Sequence, residues 1–182
     1  ASNSDKVDAP EPAVQQAAPN LVCTEQKPRD VVFTGEGLSP TLLDVVKDEA
    51  HVALPHLFVL RVQDLDGAAV ADAAEVEVPP DAVTWQSQQQ LTPTLDPALD
   101  LAPGLYDLRV RNGSGRETMF PSALTVVPPP TLASVLPSPT CLAQGERSYT
   151  VTGTGFMVLG ETYPDVLFDG GAVALSASAA DG

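Results

Sequence analysis

The chain has 182 residues, 24 of them acidic and nine basic, for a formal net charge of −15. Nucleic acid and anionic membrane surfaces are excluded as partners: binding there needs Lys and Arg to neutralise phosphate, and the basic residues are scattered, with Arg109, Arg111 and Arg116 the densest group. A hydrophobic content of 43% supplies a core, 18 prolines and 13 glycines supply turns, and no run of 18 apolar residues offers a membrane helix.

Residues 1–18 are polar and rich in Pro, Ala and Gln, with no apolar periodicity, and read as a flexible leader or linker. They lack the charged-then-apolar order of a signal peptide, so an exported protein would have lost its signal before Ala1. Strand alternation begins at Asp30 to Thr34, with Val31 and Phe33 on one face. Thr41 to Glu49 carries Leu42, Val45 and Val46 at helix spacing after Ser39-Pro40, so a helical turn is expected there. Pro55 to Val62 (PHLFVLRV) is a nearly continuous apolar run, as in a central strand buried on both faces. Ala82 to Trp85 and Gln90 to Leu95 are shorter strands. Leu105 to Arg111 places Tyr106, Leu108 and Val110 on one face and Asp107 and Arg109 on the other. Asn112-Gly113 is a two-residue hairpin signal, lengthened by Ser114-Gly115, and Met119 to Val127 returns as the closing strand. The prolines at 128–130 end it, because proline cannot donate to a ladder, and form a stiff joint.

Part of the chain is written twice. CTEQKPRDVVFTGEGL from Cys23 and CLAQGERSYTVTGTGF from Cys141 match at an offset of 118 residues: Pro19 with Pro137, Thr34 with Thr152, Gly35 with Gly153, Gly37 with Gly155. Such a repeat means similar modules in tandem. The organisation expected is a leader over 1–18, a full domain over 19–127 and a second domain over 128–182. Only 53 residues run from Pro130 to Gly182, so the chain is expected to stop inside that second domain.

The ordered set of blocks resembles the IPT/TIG family, immunoglobulin-like domains of plexins, some transcription factors and many bacterial secreted or surface proteins. Thr152, Gly153, Gly155 and Phe156 match the family's Thr-Gly-x-Gly-Phe block. Thr34, Gly35, Gly37 and Leu38 match it with Leu for Phe. Gly104, Tyr106, Val110, Asn112 and Gly115 match its second block. The resemblance is greatest to the tandem modules of bacterial lipoproteins and cell-surface proteins. It implies an all-β fold: an immunoglobulin-like β-sandwich of TIG type, followed by the start of a second. Between Leu38 and Val62 the chain is longer than a typical module, so an insertion is expected there. Tyr106 stands where immunoglobulin-like folds often place a tyrosine corner, its hydroxyl bonded back to the backbone.

The candidate sites are few. Gly35 and Gly37 read as a bulge or turn where a side chain would clash, and not as a phosphate loop, since no third glycine, Gly-Lys-Ser/Thr or helix follows. Asp64, Asp66 and Asp72 in QDLDGAAVAD are candidate calcium ligands, although Gly67 falls directly after the second Asp and a plain Asp-Gly turn is preferred. Trp85, beside Gln86-Ser87-Gln88-Gln89-Gln90, is a candidate sugar-stacking residue, with core packing preferred. His51 and His56 lack companions at zinc-site spacing. Cys23 and Cys141 occupy equivalent positions in successive modules, so they are expected not to be joined, because a disulfide needs Cα atoms within about 7 Å. Catalysis and cofactors are not expected, since no acid, base or nucleophile is singled out.

Together these readings describe an exported structural or interaction module at a bacterial surface: a spacer, scaffold or adhesion domain. Its partners would be other domains of the same chain and surface proteins. The alternative is a ligand-binding accessory domain, for carbohydrate or calcium, attached to an enzyme.

Overall fold

The computed structural model describes residues 10–25, 28–46, 49–138 and 148–156. The described residues are all-β, in mostly antiparallel sheets, with two single 3-10 turns among them, Pro80–Ala82 and Pro97–Leu99. The chain divides into two compact units, Ala1–Pro128 and Pro129–Gly182.

In the first unit, β1 (Ala13–Ala18), β3 (Arg29–Asp30), β4 (Val32–Glu36), β9 (Val83–Ser87) and β10 (Gln90–Leu95) form one sheet. β10 is its centre, with β9 on one side and β3 and β4 on the other. β3 and β4 are nearly one strand: at the break between them, the Val31 amide still donates to the Pro93 carbonyl at 3.0 Å. The other sheet holds β2 (Leu21–Cys23), β7 (His56–Gln63), β8 (Glu75–Glu77), β11 (Gly104–Arg111) and β12 (Glu117–Val127), in the order β2-β12-β11-β7-β8. Both sheets supply a single core: Val31, Phe33, Leu91 and Leu95 from the first, Leu57, Val59, Leu108, Val110, Leu124 and Val126 from the second.

The alternation in β11 explains why it sits at the centre of its sheet. Tyr106, Leu108 and Val110 are buried while the residues between them are half-exposed, as the period of two requires. β7 is buried at three consecutive positions, Leu57, Phe58 and Val59. The Phe58 ring points away from the core and is roofed by the guanidinium groups of Arg109, 4.2 Å from the ring centroid, and Arg111, at 5.0 Å.

Two expectations are corrected. Residues 1–18 are not a leader throughout, because Ala13–Ala18 is a strand paired antiparallel with β4. Val14 and Ala17 pack on the core, whereas Gln15 and Gln16 face water. An edge strand needs so little apolar surface that its periodicity escapes notice. Thr41 to Glu49 is not helical either. β5 (Thr41–Val46) and β6 (Glu49–Ala53) form a separate antiparallel hairpin, Thr41 opposite Ala53. Thr41, Val45 and Val46 are β-branched and favour extended backbone, which outweighs the helical spacing of the apolar residues.

The β11–β12 connection also differs in detail from a two-residue turn. The Asn112 amide donates to the Arg116 carbonyl at 2.9 Å, so the loop is Gly113-Ser114-Gly115, and the positive φ falls on Gly115, at 86°. That is the three-residue loop with a left-handed last residue.

The sequence repeat is a structural repeat. In the second unit β13 (Thr131–Leu136) and β14 (Thr150–Thr154) lie 118 residues beyond β1 and β4 at both ends. Their register matches pair for pair. Ala13 faces Glu36 as Thr131 faces Thr154, Val14 faces Gly35 as Leu132 faces Gly153, and each pairing slips at the next residue. Gly37 and Gly155 both take positive φ, 65° and 74°. Cys141 lies outside the described residues, while Cys23 closes β2 opposite Val127.

Candidate functional site

Gly35, Gly37 and Leu38 of the first block and Asn112 of the second lie together at one pole of the first unit. Asn112 is the one buried polar residue among those described, 2% exposed. Its Nδ2 donates to the Gly37 carbonyl at 2.7 Å and to the Pro10 carbonyl at 3.3 Å. One side chain thus ties the β11–β12 tip, the turn after β4 and the segment leading into β1. Gly35 is required by close approach: a Cβ there would stand 1.9 Å from the Ala13 carbonyl oxygen, and the same distance separates a Cβ at Gly153 from the Thr131 oxygen. The Leu38 amide donates to Gln88 and the Gly35 amide to Gln89, both at 2.9 Å. The β5–β6 hairpin is rooted here too, with Thr41 and Ala53 against Gly113. These are framework contacts, although Asn112 Oδ1 and Ser39 Oγ are buried here without a hydrogen-bond partner.

Trp85 belongs to the same pole. It is half-buried against the core, and its indole N–H donates to the Leu38 carbonyl at 2.7 Å. The N–H that would recognise a sugar hydroxyl is therefore already used. We expect Trp85 emission to be blue-shifted relative to a free indole and unchanged by added oligosaccharides; a red-shifted emission that moves with sugar would reverse this assignment.

The aspartates of the 64–72 loop do not converge. Asp64 Oδ1 accepts from the amides of Asp66 at 3.0 Å and Ala68 at 2.8 Å, closing an Asx-type turn, and Gly67 takes a positive φ of 84°. No group of three His, Cys, Asp or Glu side chains placed to hold a metal occurs among the described residues. His56 opens β7 and its Nδ1 lies 2.6 Å from Glu77 Oε1, while His51 lies in β6.

At the opposite pole the Tyr106 hydroxyl donates to the Ala102 carbonyl at 2.7 Å, and burial pushes the phenol above its ordinary pKa, keeping it a donor. Gly104 begins β11 against the Gln63 carbonyl. A cleft of about 20 Å³ lies here, lined by Val22, Cys23, Leu95, Pro97, Leu101 and Val126 among others. Ligand pockets are at least ten times larger.

Sequence reasoning missed the charge network on the outer face of β7, β8, β11 and β12. Arg109 bonds Glu75 through two nitrogens and Glu117 at 2.6 Å. The only sequence signal was the outward phase of Arg109, because β8 is too short to read. The Arg109 guanidinium holds the Glu75 carboxyl below the usual range, and Glu75 with Glu117 holds Arg109 above its own. A depressed carboxyl stabilises the fold above its unfolded pKa and loses that contribution as pH falls through the folded value. Glu75→Gln should therefore lower the melting temperature at neutral pH. Its deficit should shrink below about pH 4, and a constant deficit would show the pair to be irrelevant.

Searches of protein families, curated proteins and solved structures found no match to this chain.

Proposed function

We propose that the chain is a non-catalytic spacer or scaffold module: an immunoglobulin-like β-sandwich of TIG type, carried in tandem on an exported protein of a bacterial surface. One observation carries the reading. The described chain enters the first unit at one pole, where Asn112 holds the Pro10 carbonyl, and leaves at the other, where the Thr24 amide bonds Val127. A module with its ends at opposite poles adds length. β12 alone, with 11 residues, spans about 36 Å at ~3.3 Å per residue. The 118-residue structural repeat supports tandem use, and the insertion relative to the family falls on the β5–β6 hairpin. In topology, β1 pairs antiparallel with β4 in one sheet and the chain then continues as β2, parallel to β12 in the other. That switch of sheets by the first strand suits an immunoglobulin-like sandwich.

The reading is tested in the cell that makes the protein. An epitope inserted at the open Gly67 turn should be stained on intact cells. Replacing residues 10–128 by an unrelated β-domain with ends at opposite poles should preserve surface function, whereas deleting them should impair it. Staining only after lysis would overturn export. Failure of the replacement would mean that this surface itself binds a partner.

A further inference from the structure

We infer that the first unit is a tension-bearing element, with the parallel β2–β12 pair as its mechanical clamp; the inference rests on the spacer reading above. The path of force follows from strand directions. Tension between Pro10 and Pro128 acts along β1 and β2 from one pole and along β12 from the other. β2 and β12 are parallel, with Leu21 opposite Thr125, Val22 opposite Val126 and Cys23 opposite Val127. Two further hydrogen bonds bracket these pairs: the Thr125 amide donates to Asn20 at 2.7 Å and the Thr24 amide to Val127 at 2.9 Å.

Pulling the start of β2 one way and the end of β12 the other slides the strands along their shared axis. Every bond of the pair is then strained together, and none fails until all fail. Peeling the same strands from one end strains one bond at a time. β1 is loaded lengthwise as well, against β4, through five register pairs. The core strengthens the clamp, since Val22 and Val126 are buried and must leave it for β2 to slide. The β5–β6 hairpin lies off this path.

The test compares two pulling directions in one protein. Click-reactive residues introduced into the full chain, at 10 and 128 or at 25 and 128, carry handles for optical tweezers. Handles at 10 and 128 load the clamp lengthwise. Handles at 25 and 128 sit at the same pole and peel it open. A single hydrogen bond contributes little alone, so sharing the load over three pairs should raise the rupture force roughly threefold in the first geometry. Thr24→Pro removes one donor just past β2, at a sheet edge where proline is tolerated. It should lower the rupture force in the 10/128 geometry and change the melting temperature little. Equal forces in the two geometries, or wild-type force in Thr24→Pro, would overturn the clamp. Neither result touches the spacer reading, which stands or falls with the replacement test.

Discussion

Gly35→Ala is expected to destabilise the first unit by about 3 kcal/mol or more, lowering its melting temperature by roughly 12 °C, and to release β1 from β4. Gly35 does not carry the positive φ of Gly37, so the effect is steric alone. The added Cβ would lie 1.9 Å from the Ala13 carbonyl oxygen and 2.9 Å from its carbon and from Val14 Cα. All three are backbone atoms, so no side-chain rotation relieves the contact. Either the strands separate, exposing Val14 and Ala17, or β4 shifts and disturbs Phe33. Gly67→Ala is the matched control: nothing lies within 4 Å of the added atom, leaving only its positive φ to cost about 1 kcal/mol. Amide exchange should show protection lost over 13–18 and 32–36 in Gly35→Ala and retained in the control. Equal melting temperatures for the two variants would show that the close approach relaxes at no cost. A Cβ at Gly153 would meet the Thr131 carbonyl oxygen at the same 1.9 Å, so Gly153→Ala should likewise disturb the β13–β14 pair.

Phe33→Ala should cost about 4 kcal/mol, from lost burial and the cavity left behind. Phe33 is 1% exposed and is the second residue of β4, paired with Ala17 of β1 and Leu91 of β10. Its ring therefore packs where three strands of one sheet meet the facing strands of the other. Domains of this size are stable by only about 5–15 kcal/mol, so chemical denaturation should show a much lower midpoint. A loss below about 1 kcal/mol would mean the core refills the space.

Both predictions concern positions that stood out in the sequence, and the reason is physical. Phe33 lies in a strand with one face in the core and one in water, which prints a period of two on the residues. The same pattern made β11 legible at Tyr106, Leu108 and Val110. Gly35 stood out because it recurs at Gly153. Where a strand is short or at an edge, as with β1, β2 and β8, few of its residues are buried and no period forms. In β5 the helix spacing of Leu42, Val45 and Val46 arises by chance, and pairing with β6 makes the segment extended.

The candidate sites divide along the same line. The sequence offered Asp64, Asp66, Asp72 and Trp85 as residue types suited to calcium or sugar. Whether their atoms are available is decided by partners distant in the chain or by turn geometry. Trp85 gives its N–H to Leu38, 47 residues away, and Asp64 gives an oxygen to its own turn. The role of Asn112 was hidden as well, since a residue that reads as a hairpin signal spends its side chain on carbonyls 75 and 102 residues distant.

By itself, the sequence determined that this protein is rich in β-strands, acidic and repeated at an interval of 118 residues. Each of those properties resides in composition, local periodicity or self-similarity. Only the tertiary structure decided that the first strand changes sheets, that the chain enters and leaves at opposite poles, and that β2 meets β12 in parallel. Those are relations between segments about a hundred residues apart, and no local pattern encodes which strand will lie beside which.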